Sequence, residues 1–129
     1  MSKEILKGFK YLMMVFSIVI LLFGAWFFLA IESWVTLFGW PYLDPIAGHY
    51  IGGICLAIGI VGLLTYKIID WERLEIFAIF IILSLLFGLI AMIWGVILTP
   101  SVGGILMVVL HAAFLIGFVF FYFQQNLSK

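Results

Sequence analysis

Four long apolar stretches constrain the fold of this chain more than any other feature of its sequence. They cover residues 11–31, 46–66, 74–98 and 102–123, with each boundary set to about three residues. An α-helix needs roughly 20 residues to cross a bilayer, and each stretch is long enough. The stretches do not alternate apolar and polar residues as membrane β-strands do. Because backbone polar groups in lipid must be satisfied within the segment, we expect four transmembrane helices.

The composition agrees with an all-α integral membrane protein and excludes a soluble domain. Of the 129 residues, 67% are hydrophobic and 9% are charged, whereas soluble domains carry roughly 25% charged residues. Six Lys and Arg residues balance six Asp and Glu residues without forming a basic patch, which excludes a nucleic-acid-binding protein. We therefore expect a single transmembrane domain over residues 1–129, folded as a four-helix bundle and surrounded by bound lipid.

The positive charges predict the orientation of the bundle. They lie before the first stretch, between the second and third, or at the end of the chain: Lys3, Lys7, Lys10, Lys67, Arg73 and Lys129. Because cytoplasmic loops carry the excess of Lys and Arg, we expect both termini in the cytoplasm. Aromatic side chains would then form belts at the two interfaces. The outer belt would hold Trp34, Trp40, Tyr42 and Trp94, and the inner belt Tyr11, Tyr66, Trp71 and Tyr122.

Capping residues predict where three of the helices begin. Asp44-Pro45 and Thr99-Pro100 each place a capping side chain before a proline, and proline is favoured at the first helical position. We expect these pairs to open the second and fourth helices. Asp70 is expected to cap the third helix.

The longest connection, between the first and second stretches, predicts a short helix of its own. Trp34, Leu37 and Phe38 recur at helical spacing, which is typical of an interfacial helix. Gly39 and Pro41 would end it.

Two short patterns recur along the chain. The sequence LLFG at residues 21–24 returns at 85–88, and the pattern PxxG at 45–48 returns at 100–103. Duplication of a helical hairpin would produce this, with both copies entering the membrane from the same side. Chance recurrence of common residues in an apolar chain would produce it as well.

Small residues form a stripe on three of the stretches. The members are Gly48, Gly52, Cys55, Gly59 and Gly62; Ser84, Gly88, Ala91 and Gly95; and Ala113 and Gly117. Small faces let helices approach closely in lipid, so we interpret the stripes as packing faces rather than the lining of a pathway. Because the second and third stretches are joined by a short turn, we expect their faces to meet. Cys55 is interpreted as a packing residue.

Few polar side chains lie at membrane depth, and each is a candidate for function because ionisable groups are costly there. Glu32, Asp44 and His49 could cluster at the outer surface and bind a divalent metal ion or relay a proton. The alternative is that Asp44 caps a helix, that Glu32 is a solvated charge at a helix end and that His49 lies at the interface. We expect His111 to bond to a neighbouring helix or subunit.

A haem bound between His49 and His111 is a further alternative. His49 lies four residues after Pro45, and His111 eleven after Pro100. The two side chains would thus differ in depth by about 10 Å, which argues against one haem between them. The sequence predicts no catalytic residue and no cofactor beyond these alternatives.

The head of the second stretch resembles that of small four-span bacterial and archaeal membrane proteins grouped as DoxX-like. The resemblance is carried by Pro41, Asp44, Pro45, Gly48, His49, Tyr50, Gly52, Gly53 and Gly59. Those proteins often show an Arg beside a Tyr and a Gly-Gly pair, where this chain has His49. The resemblance implies a four-span bundle in a prokaryotic cytoplasmic membrane, with links in some members to respiratory or sulfur-oxidising systems. It implies no catalytic residue.

Three functions follow as alternatives. The first is a non-catalytic accessory subunit that packs by its small-residue faces into a larger membrane complex, such as a respiratory or redox complex. The second is a homo-oligomeric transporter or channel, because 129 residues enclose no broad pathway alone. The third is a redox subunit that binds haem or a metal ion through His49 and His111.

Overall fold

The computed structural model of this chain describes residues 4–40 and 44–127. Four helices follow one another: α1 Lys7–Phe38, α2 Pro45–Leu64, α3 Trp71–Leu98 and α4 Val102–Leu127, with a 3-10 turn at Thr65–Lys67. Each is long and apolar enough to cross a membrane, so the prediction of an all-α fold with four such helices is confirmed. Leu6 and Gln125 meet at one end of the bundle, called here the terminal end; the opposite end is called the far end.

α1 is longer than the predicted stretch because the expected interfacial helix belongs to it. The helix runs to Phe38 through a break at Ala30, whose φ and ψ of −153° and 51° are not helical. The segment after the break is helical and ends at Phe38, so the predicted short helix is confirmed, although it continues α1 across the break. Trp34 in this segment is buried within the protein at 1% exposure. Gly39 ends the helix with a φ of 64°, a left-handed conformation that glycine adopts without a Cβ penalty. Pro41 and Tyr42 lie outside the described residues.

Two of the three predicted caps are confirmed. The Asp44 carboxylate accepts from the backbone N–H groups of Ile46 and Ala47 at 2.9 and 3.2 Å, and Asp70 accepts from Glu72 N–H at 3.3 Å.

The start of α4 differs from the prediction by two residues. Ser101 Oγ accepts from the Gly104 N–H at 3.1 Å, so Ser101 caps this helix. The hydroxyl of Thr99 instead donates to the Gly95 carbonyl of α3 at 3.2 Å. Pro100 lies between α3 and α4. Serine is a better N-cap than threonine, and the serine of this chain follows the proline at residue 101.

The small-residue stripe of α2 packs against α1, and this corrects the prediction that it meets α3. α1 and α2 make the most extensive helix pair in the bundle, whereas α2 and α3 do not pack along their lengths. A Cβ on Gly52 would collide with the backbone of Phe27 and Phe28, and a Cβ on Gly24 would stand 2.8 Å from the Leu56 nitrogen. Glycine at these two positions lets the two backbones approach closely.

The two copies of the LLFG pattern occupy similar places in their hairpins. Gly24 of α1 lies against Cys55 and Leu56 of α2, and Gly88 of α3 lies against His111 of α4. Each glycine thus faces the next helix of its own hairpin.

Two apolar clusters hold the ends of the bundle together. At the terminal end, α1, α3 and α4 contribute a core built on Phe9, which meets the rings of Trp71 and Phe118 edge to face at centroid distances of 5.2 and 5.8 Å. Trp71 is therefore buried within the protein, and its predicted place in the inner aromatic belt stays a prediction. Toward the far end, a smaller cluster contains Phe27 and Trp34.

Candidate functional site: a cavity between the helices

A cavity of about 270 Å³ lies beside the two clusters and is walled by all four helices. Its walls are almost entirely apolar and rich in aromatic rings and methionine. The walls include Phe16, Val19, Phe23, Phe27, Trp34, Met92, Met107, His111 and Phe114. α2 and α3 both contribute to the walls although they do not pack along their lengths.

His111 brings an imidazole to the cavity wall from within α4. Its Nδ1 atom is 2.9 Å from the carbonyl oxygen of Met107 one turn earlier. This corrects the prediction that His111 bonds to a neighbouring helix. A carbonyl oxygen only accepts, so Nδ1 carries a proton, and in the neutral ring Nε2 is an acceptor. Nε2 lies beside the backbone of Gly88 and has no hydrogen-bond partner among the described residues.

Trp34 presents an unusual buried donor at the far end. Within residues 4–40 and 44–127, its Nε1 is the one fully buried side-chain nitrogen or oxygen without a hydrogen bond. A Cβ on Gly103 would stand 3.3 Å from this nitrogen, so the indole edge is packed against the first turn of α4. Such an unpaired donor costs about 1–3 kcal/mol, and the aromatic contacts of the ring with Phe23, Phe27 and Phe38 offset this cost.

The predicted outer cluster is brought together only in part. His49 Nε2 lies 3.9 Å from Glu32 Oε1, and His49 Nδ1 lies 2.9 Å from the carbonyl oxygen of Phe28. The Asp44 carboxylate is engaged in capping α2. No group of three or more His, Cys, Asp and Glu side chains that could hold a metal ion occurs in the part of the chain that the structure describes.

The two histidines occupy different surroundings. His111 lines the cavity, whereas His49 is half-exposed at the far end and pairs with α1. A haem between them stays an untested alternative. In both histidines Nδ1 is hydrogen-bonded to a carbonyl oxygen. The two side chains differ in what surrounds them, so we expect different roles.

A polar network at the terminal end was missed by the sequence reasoning. Gln125 is fully buried. It accepts from the Leu6 N–H at 2.7 Å and donates to the Glu4 carbonyl at 2.9 Å. Tyr122 donates to Glu75 at 3.0 Å, and the indole of Trp71 donates to Asn126 at 3.2 Å. The polar residues that follow the fourth stretch were the available signal, because polar groups at a helix end need partners once they are buried.

The small-residue stripe of α3 is largely uncovered. Ser84, Ala91 and Gly95 are exposed, and a Cβ on Gly95 would meet nothing within 4 Å. Gly88 in this stripe packs against the side chain of His111. On α4, Gly117 lies against Leu12 of α1.

Comparisons of the chain with protein-family models, with curated proteins and with solved structures gave no match.

Proposed function

We propose that this chain is a non-catalytic membrane subunit that packs against a larger integral membrane subunit. The observation that carries the proposal is the bare face of α3, where Ser84, Ala91 and Gly95 are exposed and Gly95 has open space beside it. Close approach of helices in lipid depends on small residues, and α2 uses its own small residues for that purpose against α1. In the corresponding stripe of α3, Gly88 meets His111 of α4, whereas Ser84, Ala91 and Gly95 stay exposed.

The engagement of the polar side chains supports a role without catalysis. Asp44 caps α2, His49 donates to an α1 carbonyl, and Ser17 donates to the Met13 carbonyl at 2.7 Å. Catalytic side chains at such a depth would need free donor or acceptor atoms that face a substrate. His111 Nε2 is an exception, since it has no hydrogen-bond partner among the described residues.

We propose that both termini lie in the cytoplasm, in a prokaryotic cytoplasmic membrane. Lys7 and Lys10 begin α1, and Lys67 and Arg73 flank the connection between α2 and α3. All four positive charges therefore lie at the terminal end, and positive charge is favoured on the cytoplasmic side.

We also propose that α1–α2 and α3–α4 arose by duplication of one hairpin, and that the chain is akin to DoxX-like proteins. The duplication is supported by Gly24 and Gly88, which each meet the following helix of their hairpin. The kinship depends on the sequence pattern at the head of α2.

The experiment that tests the subunit proposal is native mass spectrometry after release from the protein's own membranes in mild detergent. We expect this chain bound to a larger membrane protein, and we expect a Gly95→Leu variant to lose that partner. Ile93→Leu is the matched control, because residue 93 lies on the other side of α3. Multiples of 14.6 kDa alone would favour a homo-oligomeric transporter or channel instead. A monomer that keeps only lipid would contradict both functions.

A further inference from the structure

We propose that the cavity between the helices binds a membrane-soluble phenol, whose ring lies among the aromatic walls and whose hydroxyl donates to Nε2 of His111. This inference does not depend on the subunit proposal, since a ligand enclosed by this chain needs no partner protein. Three properties of the cavity carry it: its size, its walls and the imidazole of His111 that lines it. Asp44 also lines the cavity, but its carboxylate is engaged in capping α2.

The size of the cavity suits one or two fused rings. Its volume is about 270 Å³. A cavity of roughly 150 Å³ lined by aliphatic and aromatic side chains is known to hold benzene. Larger ligand pockets of roughly 300–1,000 Å³ hold drug-sized molecules, so the upper limit here is a small bicyclic compound.

The walls favour a flat aromatic ring over a saturated chain. Phe16, Phe27 and Phe114 lie on the walls together with the indole of Trp34. Rings of this kind attract another ring in edge-to-face or offset geometry by about 0.5–1.5 kcal/mol beyond simple burial. Met92 and Met107 complete the walls, and their thioethers also contact aromatic rings favourably.

The acceptor on the wall decides the polar group of the ligand. The bond from His111 Nδ1 to the Met107 carbonyl leaves Nε2 of the neutral ring as an acceptor without a partner among the described residues. A ligand that carries only carbonyl or ether oxygens would set a second acceptor against it and leave both unpaired. A hydroxyl group supplies the missing donor, and a phenol combines this donor with a ring.

The test uses the full chain in phosphatidylcholine nanodiscs and three probes that share one bicyclic carbon skeleton. The probes are 2-naphthol, 2-methoxynaphthalene and decahydro-2-naphthol, each corrected for partition into empty nanodiscs. We expect 2-naphthol to bind about 10-fold more tightly than its methyl ether, as one hydrogen bond allows. It should also bind more tightly than the saturated alcohol, because the walls are aromatic. Equal binding of 2-naphthol and either analogue would overturn the proposal.

Matched variants locate the site. Val19 lines the cavity on α1, and Val15 lies one turn earlier with its side chain half exposed. Val19→Phe should weaken binding of 2-naphthol at least 10-fold, whereas Val15→Phe should not. In His111→Leu the preference for 2-naphthol over its ether should vanish, and His111→Gln, which keeps an acceptor, should restore part of it. Equal weakening by both valine variants would contradict the location, and the comparison of probes on the unaltered chain stands whether or not a variant folds.

Discussion

The Nδ1 atom of His49 lies 2.9 Å from the carbonyl oxygen of Phe28 and so joins α2 to α1 two residues before the break at Ala30. Beyond the break, the hydroxyl of Ser33 donates to the Ala30 carbonyl at 2.7 Å. Sharp bends in helices occur where side chains enter the backbone hydrogen-bond ladder. His49, for which the sequence left a metal or haem site open as an alternative, is thus a hydrogen-bond partner of α1 beside its break.

Loss of this donor should weaken the α1–α2 pair. We expect His49→Leu to lower the free energy of unfolding by about 1 kcal/mol, the usual net value of one hydrogen bond, while His49→Asn keeps a donor and loses less. Unfolding by sodium dodecyl sulfate, followed by circular dichroism, measures this. Glu32→Gln is the control, because its side chain is 63% exposed and an exposed ion pair contributes little. A larger loss in Glu32→Gln than in His49→Leu would contradict the assignment.

The close approach of α1 and α2 at Gly52 should not tolerate a methyl group. A Cβ at this position would collide with backbone atoms of Phe27 and Phe28, which cannot rotate away. We expect Gly52→Ala to lower the free energy of unfolding by about 1–3 kcal/mol, as overpacking does. Gly95→Ala provides the matched control, since nothing lies within 4 Å of a Cβ there. Unfolding of both variants at the same detergent fraction would contradict the close approach of α1 and α2 at Gly52.

Gln125 should hold the N-terminal residues to the end of α4. Gln125→Leu removes the side-chain partner of the Leu6 N–H and of the Glu4 carbonyl, and each lost hydrogen bond costs about 1 kcal/mol. We expect faster cleavage by trypsin after Lys7 and faster amide exchange at Leu6. Gln124→Leu is the control, because Gln124 is exposed, and its cleavage rate should match that of the unaltered chain. Slow cleavage in both variants would show that Gln125 does not secure this segment.

Substitutions at Asp44 separate capping from metal binding. Asparagine caps helices as well as aspartate does, whereas alanine costs about 1 kcal/mol. We therefore expect Asp44→Asn to unfold like the unaltered chain and Asp44→Ala to be less stable. A metal ligand would behave differently, since a divalent ion prefers the carboxylate. If a divalent ion stabilises the unaltered chain and does not stabilise Asp44→Asn, the result would support a metal site at Asp44.

The helices could be predicted from the sequence because their signals are local. Apolar length set the four helices, and Asp44, Asp70 and Gly39 act within one turn of their own positions. The α4 cap was misplaced because Thr99 and Ser101 flank the same proline, and only the chain path shows which hydroxyl reaches an N–H.

Helix pairing could not be predicted in the same way. The stripe of α2 could pack on either neighbour, and α1 receives most of it with larger residues such as Leu21 and Ile31, which carry no small-residue pattern. The cavity was missed for a related reason. Its walls combine residues that are far apart in the sequence and come from all four helices. The position of His111 depends on the contact of α4 with α3 at Gly88.

Photo-crosslinking from α3 tests the central claim most directly, namely that the bare small-residue face of α3 receives a partner subunit. Benzoylphenylalanine placed at Ala91 lies on this face, and the same residue at Ile93 lies on the other side of the helix. In the protein's own membranes, we expect a reproducible product of one copy of this chain with one larger membrane protein from position 91 and not from position 93. A crosslink from position 91 to α2 of the same chain, a product of two copies of this chain, or lipid adducts alone at both positions would contradict the claim.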